Sequence, residues 1–363
     1  MRKNRIQTVF LTIAVIFTMS FAALPAYAAS GTAITNADDL KAMENNPSGS
    51  YYLANDIEVP ANLSLFADYD RPFTGTLDGN GHKIKGYTYI SSEEWLDYVA
   101  LFIHIKNATF KNLRMTDVNI SLNQADSVAA LAATSTNCKF IDISVSGKIV
   151  GKYLRTAAGI LAYNDGSSMT GCKNSADITV TDAAEGCGIA GVAGSCDTMK
   201  NCTNSGKISI SGKITQGGFY VAGVANRIGK ATSCRNSGTV TISATGSGQQ
   251  IEACNAAGVA GQVDTAVSCS NTGKVSMNAT IQPIEPHMVG GVFALVQKSA
   301  SKCYNKGAVS YSGKSYRGVY VGGVSGQARK GSQSYNKGSV TLKIPSAKSA
   351  EENKVGGVCG TVT

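Results

Sequence analysis

One phrase recurs through this chain: CTNSGKISI at Cys202–Ile210 returns as CRNSGTVTI, CSNTGKVSM, CYNKGAVSY and SYNKGSVTL. A second phrase, GGV or a close variant, keeps the same beat. Its second Gly falls at Gly159, Gly191, Gly223, Gly258, Gly291, Gly323 and Gly357, at spacings of 32, 32, 35, 33, 32 and 34 residues, and Ala130 and Ala100 extend the series to nine copies. A period this regular replaces the usual expectation of two globular domains with one linear array, in which each repeat buries its apolar face on its neighbours.

Within six copies a short strand follows the Cys (or Ser334) at fixed offset. Its first position reads Ile178, Ile208, Val240, Val275, Val309 and Val340, its third Val180, Ile210, Ile242, Met277, Tyr311 and Leu342, and only Ser or Thr stands between. That is period-two alternation, apolar inside and hydroxyl outside. Stacked about 4.8 Å apart, such strands form a parallel sheet with a continuous apolar interior. The expected fold is all-β: a parallel β-solenoid, read as a right-handed single-stranded β-helix of about nine coils.

Two places after each Cys comes an inward-facing Asn: Asn174, Asn204, Asn236, Asn271, Asn305 and Asn336. Stacked amides can donate to one neighbour and accept from the other while bonding the backbone of their own bend, so these six are expected to form a structural ladder. The Gly of each NSG, NTG or NKG is expected to take a positive φ at that bend. Cys138, Cys172, Cys202, Cys234, Cys269 and Cys303 read as a column of buried free thiols. Parallel Cβ vectors stay about a coil apart, longer than the roughly 3.8 Å a disulfide wants. No Cys/His cluster at metal spacing is present, and no cofactor is expected. Phe140 stands where the bend Asn belongs after Cys138, which marks that copy as irregular.

The chain opens with Arg2, Lys3 and Arg5 before an apolar run and an Ala26-Tyr27-Ala28 cleavage site, so residues 1–28 read as a secretory signal, with no integral membrane span elsewhere. Residues 29–120 form an entry region and first coils, and residues 121–363 the repeats. TNADDLKAM predicts a short capping helix starting at Asn36, with Leu40 and Met43 on one side. The DGNGH string at Asp78–His82 reads as a turn. The final KVGGVCGTVT shows no cap, so the expectation is either that these residues are a fragment of a longer chain or that the open coil self-associates end to end.

The strings YLANDI and PFTGTLDGNGHKIKGY, followed by VALF and then by GGVxG and CxNxG strings, resemble the GLUG-motif repeat proteins across roughly 33–363. The resemblance implies a secreted or surface-attached bacterial protein of adhesin-like character, a family whose repeats sometimes accompany surface peptidases. It carries over no catalytic residue.

Function is therefore expected in a surface scaffold or adhesion role without enzymatic activity. Insertions concentrate between each strand and the next Gly core, on the flank carrying Gln249, Gln250, Glu252, His287, Tyr316, Arg317 and Tyr320. Tyr316, Arg317 and Tyr320 are the candidate ligand contacts, suited to glycans. Charge is polar along the chain: residues 29–130 carry 7 basic and 13 acidic side chains, residues 301–363 carry 10 and 2. Secretion makes surface glycans or anionic wall polymers the expected partners of that basic end, and no nucleic acid is expected. The enzymatic alternative is a polysaccharide lyase or glycoside hydrolase on a β-helix, with Asp165, Asp197 and Asp264 in one register as its carboxylates.

Overall fold

The computed structural model describes residues 30–93, 95–183, 185–246, 250–315, 317–344 and 353–363. The signal segment, Gln249 and Tyr316 lie outside them.

The described residues wind as an all-β parallel solenoid of about nine coils. Each coil contributes to two stacks of parallel strands. In the first, Ala193–Lys200, Ala225–Thr232, Ala260–Val267 and Phe293–Ser301 succeed one another in parallel, in register except for one bulge between Val263 and Thr265. In the second run the short Cys-x-Asn segment, the alternating strand and the strand that leads into the next Gly core. Ile178 lies beside Ile208, then Val240, Val275, Val309 and Val340. Nearly all of these aliphatics are sealed from solvent, with Val340 in the last coil only partly so. Each contributes about 1.5–3 kcal/mol. At the N-terminal end the filling is aromatic instead, with Phe73, Phe102, Phe110 and Phe140 in successive ring contacts.

Helix Ala37–Ala42 covers the first coil, its Asn36 side chain accepting from the backbone N–H groups of Asp38 and Asp39. Leu40 and Met43 are fully buried beneath it. One turn of helix is stable here only because it packs.

Two details of the repeat differ from the sequence reading. The bend glycines Gly206, Gly238, Gly273, Gly307 and Gly338 are not in the left-handed region. They are glycine because coils approach too closely for a side chain: a Cβ on Gly238 would overlap the carbonyl oxygen of Gly206, and one on Gly307 that of Gly273. Positive φ falls instead on the residue before each column position, at Asn201, Ser233, Ser268, Lys302 and Gln333. Second, Cys138 is one corner out of column. Lys139 pairs with Ser168, and Ser144 with Lys173, so Ile143 is the residue beside Cys172 and Val145, not Phe140, faces Asn174. Phe140 belongs to the other stack, between Phe110 and Met169.

Candidate functional site

The six asparagines form a continuous chain of amides. Asn174 Nδ2 donates to Asn204 Oδ1 at 2.8 Å, Asn204 to Asn236 at 2.8 Å, Asn236 to Asn271 at 2.7 Å, Asn271 to Asn305 at 2.8 Å and Asn305 to Asn336 at 2.8 Å. Each Nδ2 also donates to the carbonyl two residues on, as Asn236 does to Gly238 at 2.8 Å. The Gly core packs on this ladder: a Cβ on Gly223 would overlap both Asn236 Oδ1 and the carbonyl oxygen of Gly258. The two recurring phrases are thus two halves of one contact. This spine is architectural, with its amides turned inward and their hydrogen-bonding capacity taken up.

Cys172, Cys202, Cys234, Cys269 and Cys303 stand in register beside the ladder as free, buried thiols. They donate to carbonyls, Cys202 to Met169 and Cys234 to Met199. Burial also pushes the Cys254 thiol up to about 12, away from the reactive thiolate.

The insertion flank does not gather its predicted contacts into a site. Tyr316 is outside the described residues. Arg317 is exposed in a bend, while Tyr320 lies within strand Val319–Gly322 with Lys354 Nζ 5.4 Å from its ring centroid. His287, expected in a surface loop, is fully buried. Its Nδ1 accepts from the Cys254 backbone N–H at 3.0 Å, its ring stacks on Tyr311, and Nε2 has no partner.

Desolvation lowers the His287 pKa from 6.5 to about 4. Between those values the unfolded chain binds a proton that the folded chain refuses. The stability held by neutral His287 is therefore full above pH 6.5 and is lost as pH falls towards 4, by about 3 kcal/mol. Thermal melts across this window should show Tm falling in the parent protein and a flatter profile for His287→Gln. Parallel profiles would refute this account.

The DGNGH string is a turn, with Asp78 Oδ1 accepting from Asn80 N at 2.9 Å and Asn112 Nδ2 at 3.1 Å, and Lys111 paired to the other oxygen. The three aspartates do not share one register. Asp165 pairs with Thr136, but between Leu161↔Ala193 and Ser168↔Thr198 its coil carries two more residues than the next, which throws it out of line with Asp197. Asp165 instead lines a cavity of about 350 Å³ with Tyr69, Asp70, His104 and Lys106. There His104 is 6% exposed, its Nδ1 lies 2.8 Å from Thr134 Oγ1, and Tyr69 and Tyr98 stand edge-on to its ring. Burial lowers its pKa against the opposing pull of Asp68.

Asp197 and Asp264 do share a column, with Gly229 between them, as their neighbours' pairings require. They line a second cavity of about 470 Å³ together with Tyr163, Asn164 and Arg227. A bulge after Val263 sets Lys298 against Asp264 at 2.9 Å, and Asn164 Nδ2 donates to Asp197 Oδ1 at 3.2 Å. Basic residues thus do accompany these carboxylates. Around the corner a third cavity, of about 270 Å³, shares Tyr163, Ser195 and Arg227 with the second. Sequence reasoning reached this face only through Asp197 and Asp264 and missed Tyr163, Asn164 and Arg227, which vary from coil to coil. The signal was Gly194 and Gly261 at one offset after the Gly core, with Asn226 at that offset in the coil between them.

At the far end Tyr304 and Tyr335 stack at 5.3 Å between centroids, each with a lysine, Lys306 or Lys337, over its ring. No helix of the described residues is long and apolar enough to cross a membrane.

With this geometry in place, comparison with known proteins adds one family. Residues 27–147 match the model of the M26 IgA1-specific metallo-endopeptidase N-terminal region. A crystal structure from Bacteroides ovatus, described as a candidate immunoglobulin A1 protease, aligns at 15% identity and TM-score 0.45, over 92% of this chain and 85% of that one. No curated protein matches the sequence. The family that matches is a peptidase region, not the GLUG repeats. It overturns the expectation of a non-enzymatic adhesin and equally the lyase or glycosidase alternative, since it associates the chain with proteolysis.

A metallo-endopeptidase needs a metal held by at least three side-chain donors. The described residues do not fit one: they bring together no group of three or more His, Cys, Asp or Glu able to hold a metal. His287 is sealed in the core, His104 is engaged by Thr134, and His82 lies beside Asp56 and Lys85.

Proposed function

We propose that this chain is the secreted solenoid region of a metallo-endopeptidase that attacks immunoglobulin A1 or a closely similar glycoprotein, presenting a long rigid surface along which the substrate is held. The match of residues 27–147 to the N-terminal region of such peptidases carries this reading. In this arrangement residues 1–28 are the export signal, residues 29–120 the entry region and residues 121–363 the repeats.

Rigidity is the physical contribution of the fold. Every interior coil is hydrogen-bonded on both sides, so the surface costs little further ordering when a substrate binds. Immobilised immunoglobulin A1 should retain the purified chain while immunoglobulin G does not. The protein as its producing cell exports it should cut immunoglobulin A1, and a chelator should stop the cutting. The absence of both retention and cutting would overturn the proposal.

A further inference from the structure

We propose that the trough across the middle coils, centred on Tyr163 and Arg227, is a saccharide-binding site. It rests on that trough alone and not on the peptidase reading.

The two cavities that share Tyr163, Ser195 and Arg227 form one depression on the outside of the solenoid. Its shape follows from missing side chains. Gly194 and Gly261 leave the corner open, and Gly229 leaves a gap between Asp197 and Asp264, which stand two coil rises, or about 10 Å, apart. Gly188 makes room for Asn226, because a Cβ there would lie 3.0 Å from Asn226 Nδ2. Asn226 Oδ1 is sealed from water at this floor without a hydrogen-bond partner. That acceptor stays unpaired at a cost of about 1–3 kcal/mol, and a ligand donor reaches it only when the Asn226 amide turns outward into the trough.

The lining is that of a site for a polyhydroxylated ring. Tyr163 is 58% exposed and offers one aromatic wall. Asp197 and Asp264 accept and Gln262 can do both, while Asn164, its Oδ1 taken by Ser135 and Ser167, holds Asp197 in place. Arg227 is exposed and has no ion-pair partner among the described residues, so its guanidinium is available as a planar, multidentate donor. Acceptors and donors at this density around an aromatic ring can serve each hydroxyl of a sugar as both donor and acceptor while the ring covers its apolar face.

An extended peptide is the competing occupant, and the backbone disfavours it. Peptides gain affinity on a β-sheet mainly by adding a strand at a free edge. Here Ala193–Lys200, Ala225–Thr232 and Ala260–Val267 are each paired on both sides, so no row of N–H and C=O groups faces the trough.

The test is direct binding, by saturation-transfer NMR and calorimetry, of three defined oligosaccharides built from glucose, N-acetylglucosamine and galacturonic acid. At least one should bind saturably. Tyr163→Ala and Arg227→Ala, both exposed and tolerable to the fold, should each weaken it about tenfold or more, roughly the loss of one 1.4 kcal/mol contact. Lys337→Ala, on the distant basic end, should leave affinity within twofold. No saturable binding of any of the three, or binding indifferent to the two trough variants, overturns the proposal. Because free sugars are the probes, this result is independent of whether immunoglobulin is bound or cut.

Discussion

Asn236→Ala should lower the stability of the middle coils by about 3–6 kcal/mol and open them to local unfolding. The side chain accepts from Asn204 at 2.8 Å and donates to Asn271 at 2.7 Å and to the Gly238 carbonyl at 2.8 Å. Its removal leaves one Asn204 amide hydrogen and the Gly238 oxygen buried without their partner, and breaks the run of polarised amides at its centre. Each orphaned buried group costs about 1–3 kcal/mol, and the vacated volume adds to it. In a stack where stability is close to a sum of coil and interface terms, the loss is local before it is global. Hydrogen exchange should therefore show lost protection at the coils around 204–273 while the aromatic N-terminal coils keep theirs. Asn336→Ala is the comparison. Its site is only half-buried and it ends the chain of amides, so it should cost about 1 kcal/mol. Equal effects at the two positions would mean that the ladder contributes nothing beyond single hydrogen bonds.

How legible all this was in the sequence depended on whether a feature repeats. The alternating strands and the Asn column could be placed by residue number because each copy restates them. A side chain that must meet a copy of itself leaves a periodic trace. Glycine is where the trace became ambiguous, since positive φ and close backbone approach demand the same residue. Gly206 and Gly238 are there for close approach. The true left-handed positions hold Asn201, Ser233, Ser268, Lys302 and Gln333, residues with no common signature. The slip at Cys138 has a similar origin. The coils starting at Ala130 and Gly159 are longer between corner and column than the later ones, and the apolar column accepts Ile143 as readily as Cys172. Length variation on the insertion flank drew attention there, whereas the trough joins Asp197 to single substitutions, Tyr163, Asn226 and Arg227, on the face whose length varies by only one or two residues. Buried His287 was misplaced because a His between Pro286 and Met288 reads as loop, although tertiary packing carries it inside.

Gly223→Ala should be more damaging than any single loss on the ladder, although it adds only a methyl group. An added Cβ would occupy the space of two groups at once, the Gly258 carbonyl oxygen of the next coil and the Asn236 amide of its own. Neither can step aside alone. The Gly258 carbonyl is held between those of Ala257, which accepts from Gly223 N–H, and Val259, which accepts from Val224 and Ala225, and Asn236 is fixed on both sides by Asn204 and Asn271. Gly223 is itself at ordinary negative φ, so the cost is steric and not conformational. Relief requires the coils to separate, which lengthens every parallel hydrogen bond across that interface, and overpacking of this kind exceeds the usual range of about 1–3 kcal/mol when backbone is the obstacle. The expected result is a protein that is insoluble or that loses its cooperative melt. Gly331→Ala supplies the control, because nothing lies within 4 Å of the Cβ it would add and its φ is not positive. That substitution should change stability by no more than about 0.5 kcal/mol. Serine at position 223 should fail as alanine does, while the same exchange at 331 should pass unnoticed, since the obstacle is the first atom of any side chain and not its chemistry. A soluble Gly223→Ala protein with parental melting behaviour would show that neighbouring coils are not held at the spacing on which the ladder, the glycine columns and the trough all depend.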